Sequence, residues 1–214
     1  TPTGCCLCLI TPDAERTCRT HLGAAGELQL ADVSVADFAN CELAHLEGYM
    51  LYNQPVARAV FAAAKAADCL ISLDLSSFEV VKHNHDLIVE LLPQVDIVFA
   101  NEAEAEAFSG SADPQVGRAA LAKLCPAGAV KLGAAGALLW HGDEEVAVAA
   151  HRVTAIDTTG AGDLWAAGFL FGYLRGYELA TCGHFGALTG AEVVQILGAV
   201  IPAHRWPVIR EIIK

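Results

Sequence analysis

The stretch DTTGAGDLWAAGFLFGYLRG, residues 157–176, begins with two aspartates separated by small and polar residues, and a long uncharged segment follows. That segment, 164–174, is far shorter than the ~20 residues that a membrane span requires, so it predicts a buried helix. Gly160 and Gly162 precede the helix and allow backbone N–H groups to approach one point, where the helix dipole favours negative charge. The stretch therefore predicts an anion-binding loop with the carboxylate of Asp163 at its mouth.

The composition limits the class of protein. Of the 214 residues, 54% are hydrophobic and 18% are charged, which is enough apolar material for one large core. We predict a single α/β domain over residues 1–214. The 13 basic and 25 acidic residues give a net charge of −12, and no Lys/Arg cluster interrupts this balance. The charge argues against nucleic acid or an anionic membrane as a partner.

The order of apolar and polar segments predicts the arrangement of the elements. Two β-rich runs flank a polar turn in GCCLCLITPDAERTCRTHL, residues 4–22, and predict an antiparallel hairpin. The rest of the chain alternates apolar strands with helices, as in a parallel sheet that is covered on both faces. The predicted strands are 43–46, 69–75, 95–100, 129–132, 137–141 and 146–153. The predicted helices are a short one from Ser34, one opened by Asn53 and Pro55, 86–92, one from Asn101, 113–124, 164–174, 179–197 and a tail after Pro202.

The cysteines are interpreted as reduced thiols in the core. Free cysteine behaves as a small buried hydrophobe, and most of these residues lie inside apolar segments. Only Cys5 and Cys8 have CxxC spacing, and no second CxxC pair follows, so neither a disulfide framework nor a zinc ribbon is predicted. The eight residues are Cys5, Cys6, Cys8, Cys18, Cys41, Cys69, Cys125 and Cys182.

Three motifs resemble those of the ribokinase or PfkB family of sugar and nucleoside kinases. DTTGAGD, residues 157–163, matches the DTxGAGD signature of that family at every fixed position. NEAE, residues 101–104, fits its NxxE motif, and VKLGAAG, residues 130–136, fits its nucleotide-side turn. The resemblance covers essentially the whole chain and is greatest to the adenosine-kinase-like sugar kinases. It implies a ribokinase-like three-layer α/β/α fold with a mostly parallel central sheet and an N-terminal β-hairpin.

The same resemblance implies an ATP-dependent kinase that transfers the γ-phosphate to a hydroxyl of a small sugar or nucleoside, with Mg²⁺ as cofactor. Asp163 would take the proton from that hydroxyl, while the N–H groups of Gly160, Ala161 and Gly162 would form an anion hole. The apolar helix beneath Asp163 predicts a fixed and poorly solvated carboxylate. From the residues alone, a simple capping role for Asp163 is the alternative.

Further site residues follow from the other two motifs. The resemblance implies that Asn101 and Glu104 organise the water shell of Mg²⁺ and the phosphates, so no residue is predicted to bind a metal directly. Taken alone, this pair could equally cap a helix. Lys131 could meet a phosphate or extend into solvent, and Gly133 and Gly136 would allow the backbone to approach the nucleotide closely.

Asp157 and Thr159 resemble the loop that binds a monovalent cation such as K⁺ in many members of the family. The family pattern also has a longer N-terminal part, which carries most contacts to the acceptor and which this sequence lacks. We therefore expect a chain that is truncated at its N-terminus and inactive alone. The identity of the acceptor substrate stays open.

The expected partners are ATP and a small sugar or nucleoside, with a homodimer as one possible assembly. We expect a cytoplasmic protein, and import into an organelle stays open because the N-terminal part of the pattern is missing. A non-catalytic nucleotide-binding or scaffold relative is the alternative function. Asp163 beside two glycines argues against it, because a scaffold needs no base within an anion hole.

Overall fold

The computed structural model describes residues 1–212, which form two compact units. The hairpin unit comprises Thr1–Gly26, Gly133–Ala137 and the described part of Val146–Lys214. The sheet unit comprises Glu27–Leu132 and Leu138–Glu145. A single domain over residues 1–214 stays a prediction.

The hairpin unit opens with two antiparallel strands, β1 (Thr3–Ile10) and β2 (Arg16–Gly23), as predicted. They form a two-stranded sheet of their own. In the turn between them, Ala14 has a φ of +67° and is almost fully buried. The turn is closed by the N–H of Thr11, which donates to the carbonyl oxygen of Glu15 at 3.0 Å.

A six-stranded sheet follows, and its strands are hydrogen-bonded in chain order. Its first three pairings are parallel, which confirms the mostly parallel sheet that the sequence predicts. The strands are β3 (Leu43–Glu47), β4 (Leu70–Asp74), β5 (Ile97–Asn101), β6 (Ala127–Lys131), β7 (Ala137–His141) and β8 (Glu144–Val148).

The central strands are buried on both faces. Successive side chains of a strand point to opposite faces, and in β5 the consecutive residues Ile97, Val98 and Phe99 are all fully buried. The consecutive residues Ile71, Ser72 and Leu73 of β4 are fully buried as well. The continuous apolar runs of the sequence therefore reflect strands that have no solvated face.

Five helices belong to the sheet unit, and their starts follow local capping signals. Asn53 accepts a hydrogen bond from the N–H of Val56, and Asp113 accepts one from the N–H of Gln115. Gly110 ends the fourth helix in the left-handed conformation, with a φ of +74°. The helices are α1 (Gln54–Ala66), α2 (Phe78–His83), α3 (His85–Leu91), α4 (Glu102–Ser109) and α5 (Pro114–Ala122).

The remaining helices lie in the hairpin unit: α6 (Ala161–Tyr173), α7 (Leu179–Val193) and α8 (Trp206–Ile212). α6 and α7 pack closely, and a Cβ at Gly168 of α6 would lie 2.5 Å from the carbonyl oxygen of Phe185 of α7. The hydroxyl of Thr189 donates to the carbonyl oxygen of Leu164 at 2.6 Å. Among residues 1–212, no helix combines the length and apolarity needed to cross a membrane.

The predicted short helix from Ser34 is a 3-10 helix, Val35–Phe38. Three other elements were not predicted or differ from the prediction by more than three residues. α2 was not predicted, although the side chain of Ser77 accepts the N–H of Val80 and so caps it. β8 starts before the predicted strand 146–153 and ends at Val148, because its exposed Glu144 and Glu145 obscure the apolar pattern. α7 ends at Val193, four residues before the predicted end, and Gly198 beyond it has a φ of +87°.

The interpretation of the cysteines as core thiols is correct only for Cys69, Cys125 and Cys182, which are buried. The other five are exposed or half-buried. Four of those five lie on β1 and β2, and this two-stranded sheet is so open that Leu7 is 61% exposed. Apolar composition therefore did not imply burial in this part of the chain.

Candidate functional site

Gly160 sets the shape of the loop at residues 157–163 in the hairpin unit. It precedes α6 with a φ of +77°, in the left-handed region that favours glycine. A Cβ at this position would lie 2.7 Å from the Cβ of Ala199, so both the conformation and the space require glycine. The loop thus depends on the residue type that the signature contains.

The start of α6 presents three N–H groups for which no acceptor is recorded within residues 1–212, those of Gly160, Gly162 and Asp163, and the first two belong to the predicted anion hole. The N–H of Ala161 donates to the carbonyl oxygen of Thr158 at 3.2 Å and so belongs to the turn. No hydrogen bond within residues 1–212 is recorded for the N–H groups of Gly160 and Gly162. These two donors at the positive end of a helix are suited to an anion, whereas the inclusion of Ala161 in the anion hole stays a prediction.

Asp163 is the third residue of α6, and its side chain is exposed. The expectation of a poorly solvated carboxylate is wrong, because the buried face of α6 begins only at Trp165. In the part of the chain that the structure describes, no hydrogen bond or ion pair is recorded for this carboxylate. Asp163 therefore does not act as a side-chain cap here, and its oxygens can accept a proton.

Asp157 is fully buried and holds the loop together. One carboxylate oxygen accepts the N–H and the hydroxyl of Thr159, at 2.8 and 2.6 Å, and the other accepts the N–H of Gly198 at 2.8 Å. The hydroxyl of Thr159 above all, and then the N–H of Gly198, hold the pKa of Asp157 below its usual value. Asp157 is therefore an anion that positions the loop, while a cation site at Asp157 and Thr159 stays a prediction.

The loop is also attached to the hairpin turn. The N–H and the hydroxyl of Thr158 both donate to the carbonyl oxygen of Ala14, at 3.2 and 3.1 Å. The sequence-based prediction missed this contact, because it joins residues 144 positions apart. The sequence marks the hairpin side of this contact only by the polar turn TPDAERT, residues 11–17, in which Ala14 has a positive φ.

A second polar group lies in the sheet unit, where β4, β5 and β6 end. Their last residues are Asp74, Asn101 and Lys131, and the ends of neighbouring parallel strands meet at one edge of the sheet. The Nζ of Lys131 lies 2.7 Å from an Oδ of Asp74, and both side chains are less than 15% exposed. Lys131 is therefore paired and does not extend freely into solvent. Asp74 was not predicted, although its place after a continuously apolar strand was a signal.

Asn101 and Glu104 form a reciprocal cap at the start of α4. The N–H of Asn101 and its side-chain amide donate to the two carboxylate oxygens of Glu104, at 2.8 and 2.7 Å. The N–H of Glu104 donates to the side-chain oxygen of Asn101 at 2.9 Å. The capping role that the sequence left open is thus present, and a role towards magnesium stays a prediction.

The carboxyl group of Glu104 is strongly perturbed by its surroundings. It is 2% exposed, and this burial, with the negative charge of Asp74, raises its pKa to about 7, whereas Lys131 acts in the opposite direction. The protonated form is favoured by folding, so this group's contribution to stability falls as the pH rises from 4.5 to about 7. Near neutral pH, small changes around Glu104 therefore alter its charge.

We expect Asp74→Asn to lower the pKa of Glu104 and Lys131→Met to raise it, because each removes one of the two charges that act on it. The measurement is a ¹³C NMR titration of the side-chain carboxyl, assigned with Glu104→Gln. Lys65→Met is the control, since Lys65 pairs with Asp96, away from Glu104. Shifts of the same sign in the first two variants would contradict this electrostatic explanation.

Gly133 and Gly136 flank the short turn before β7 and both have positive φ, +54° and +105°. A Cβ at Gly136 would lie 2.0 Å from the carbonyl oxygen of Val148, so only glycine fits there. Gly133 has open space around it, and only its positive φ favours glycine there. Their contact with a nucleotide stays a prediction.

The predicted site residues thus fall into two groups, one in each unit. The loop residues and both turn glycines belong to the hairpin unit: Gly133, Gly136, Asp157, Thr159, Gly160, Ala161, Gly162 and Asp163. The sheet unit holds Asn101, Glu104 and Lys131, together with Asp74.

A glycine-shaped loop at a helix N-terminus, with an unpartnered carboxylate, is typical of proteins that bind and transfer phosphoryl groups. The family model of pfkB family carbohydrate kinases matches residues 1–206. The chain belongs to this family. This membership agrees with the resemblance that the three sequence motifs indicate.

Individual relatives agree with the family. Adenosine kinase of Schizophyllum commune is 31% identical over 96% of this chain and 65% of its own length. For adenosine kinase of Dictyostelium discoideum the identity is 29%, over 94% of this chain and 65% of that protein. The crystal structure of adenosine kinase from Sinorhizobium meliloti superposes with a TM-score of 0.91 at 34% identity, over 98% of this chain and 66% of that one.

These comparisons confirm the ribokinase-like α/β fold with a mostly parallel sheet and an antiparallel N-terminal hairpin. They also confirm the resemblance to adenosine-kinase-like sugar kinases. The chain spans 65 to 66% of the length of these three relatives.

Proposed function

We propose that the protein of this chain transfers the γ-phosphate of ATP to a hydroxyl of a small sugar or nucleoside. The observation that carries the proposal is the loop at 157–163, where two unpartnered N–H groups and the free carboxylate of Asp163 lie within one turn of helix. Transfer to an alcohol needs an acceptor for the hydroxyl proton and donors for the charge on the phosphate. The loop offers both.

Asp163 acts as the general base in this proposal. Its exposed carboxylate takes the proton of the acceptor hydroxyl, and the resulting alkoxide oxygen attacks the γ-phosphorus while the bond to ADP breaks. The N–H groups of Gly160 and Gly162 donate to the oxygens of the transferred group. Because α6 is fixed by its packing on α7, these donors need no rearrangement during the reaction.

The polar side chains at the ends of β4 and β5 fit a hard cation in the outer coordination shell. Asp74, Asn101 and Glu104 supply oxygen atoms, which Mg²⁺ prefers, and magnesium usually keeps several waters. A carboxyl group whose pKa is about 7 also gains negative charge readily when a cation is near. Bound Mg²⁺ would neutralise charge on the phosphates. Lys131 would be a further phosphate contact.

The acceptor and the other partners are narrower proposals. Adenosine kinases among the relatives favour a nucleoside over other alcohols. The ordered loop around Asp157 and Thr159 supports a monovalent cation such as K⁺ as an activator.

The exposed Leu7 and Leu9 of β1 support a homodimer, and the net charge of −12 argues against nucleic acid. We place the protein in the cytoplasm.

The test is to incubate the full-length protein with ATP, Mg²⁺ and adenosine, ribose or fructose, and to follow ADP and the phosphorylated acceptor by ³¹P NMR. We expect phosphorylation of at least one acceptor, and no ADP without an acceptor. ATP binding with no turnover on a wide panel of sugars and nucleosides would favour the alternative, a non-catalytic nucleotide-binding or scaffold relative.

Replacing Glu104 by Gln should raise the Mg²⁺ concentration that gives half-maximal rate more than it changes the KM of the acceptor. The reason is that an outer-shell partner tunes the metal and does not meet the acceptor, and such changes typically cost about 10- to 100-fold in metal affinity. Initial rates across a magnesium series measure the effect. Glu106→Gln, on the exposed side of α4, is the control. A shift in the acceptor KM alone would remove Glu104 from this role.

A further inference from the structure

Three cysteine side chains converge on one face of the β1–β2 hairpin. Cys8 lies directly opposite Cys18 in the register of the two strands, and Cys6 lies two residues before Cys8, so all three point to the same side. The Sγ atoms of Cys8 and Cys18 are 3.7 Å apart, and those of Cys6 and Cys8 are 3.9 Å apart. All three sulfurs lie within 4.8 Å of one another.

These separations match those of thiolates that share one metal ion. The Zn–S distance is about 2.3 Å, and two ligands at tetrahedral angles are then about 3.8 Å apart. The two measured separations, 3.7 and 3.9 Å, lie on either side of that value. The three sulfurs therefore need little movement to become ligands of a common ion.

Hydrogen-bond donors next to Cys6 and Cys18 suit ligands that become thiolates. The hydroxyl of Thr20 donates to the Sγ of Cys6 at 3.3 Å, and the guanidinium of Arg16 donates to the Sγ of Cys18 at 3.7 Å. Three thiolates around a divalent cation leave one negative charge, which the nearby Arg16 offsets. Cys6 is exposed, so an ion can enter and a fourth position stays open to water.

We propose that Cys6, Cys8 and Cys18 bind one thiophilic metal ion, with Zn²⁺ as the ion that fits best. Thiolate ligands select zinc or copper(I) over hard cations such as Mg²⁺, so the site is separate from any magnesium site at Glu104. The ion joins β1 to β2 and so stabilises the hairpin whose turn is attached to the loop at 157–163. The proposal does not depend on the kinase activity.

The site is tested by titrating the reduced full-length protein with Co²⁺ under argon and recording the absorption spectrum. We expect a thiolate-to-cobalt charge-transfer band that saturates at one ion per chain and disappears when Zn²⁺ is added. Cys8→Ser should abolish the band. Cys5→Ser is the matched control, because Cys5 is exposed on the same strand but points to the opposite face.

Thermal unfolding supplies a second measurement. Zn²⁺ should raise the Tm of the parent protein and of Cys5→Ser but not that of Cys8→Ser or Cys18→Ser, with circular dichroism to establish that each variant is folded. The proposal is overturned if the parent gives no charge-transfer band, or if the band survives Cys8→Ser. Equal loss of the charge-transfer band in Cys5→Ser and Cys8→Ser would also overturn the proposal. So would a band that appears only at the Co²⁺ concentrations at which free cysteine gives one.

Discussion

Asp163→Asn lowers turnover by about 10²–10⁴-fold and leaves ATP binding nearly unchanged; this is the largest effect we expect. An amide cannot take the proton of the acceptor hydroxyl, whereas it keeps the size and polarity of the carboxylate. Because the side chain is exposed and makes no recorded contact within residues 1–212, the substitution should not alter the fold. The measurements are kcat with a saturating acceptor and the affinity for ATP by calorimetry.

The matched control for this variant is Asp86→Asn. Asp86 is also an exposed aspartate in the first turn of a helix, α3, but no glycine loop precedes it. We expect its turnover to equal that of the parent. If Asp163→Asn retained the activity of the parent, the general-base role would be wrong and the reaction would need another base.

Gly160→Ala is expected to reduce turnover by about 10²–10³-fold, the usual cost of losing a donor to a developing anion. The new Cβ would lie 2.7 Å from the Cβ of Ala199, and a φ of +77° is unfavourable for alanine. The backbone at Gly160 must therefore move, and its N–H moves with it. Steady-state kinetics and the Tm, measured on the same sample, separate lost activity from lost folding.

Gly176→Ala provides the control for backbone strain. Gly176 has nearly the same φ, +72°, but nothing lies within 4 Å of the Cβ that alanine would add. Both variants should lose some stability, and only Gly160→Ala should lose turnover. Equal turnover in the two variants would argue against an anion hole at the loop.

The features that the sequence predicts are those encoded by local patterns. The alternation of apolar strands and capped helices predicts the parallel sheet, and the polar turn predicts the β1–β2 hairpin. The DTTGAGD motif likewise predicts a glycine loop before a helix, and the structure has α6 directly after Gly160, whose φ is left-handed. Each of these depends on residues that are near one another in the chain.

The features that the sequence did not predict depend on distant residues. Asp74 acquires its partner from β6, 57 residues later, and Cys8 meets Cys18 only through the register of the hairpin. The exposure of Asp163 depends on where the packed face of α6 begins, which the uniformly apolar helix does not reveal. Capping at Ser77 was a local signal for α2, but six helical residues give too short a pattern to recognise.

The double hydrogen bond from Thr158 to the carbonyl oxygen of Ala14 has a consequence for folding. It joins residues 144 positions apart, and contacts between such distant positions require loop closure and form slowly. During refolding, the glycine loop can be attached to the hairpin turn only after these two distant segments have met. We therefore expect hydrogen exchange during refolding to protect the N–H of Thr158 later than the amides of β4 and β5.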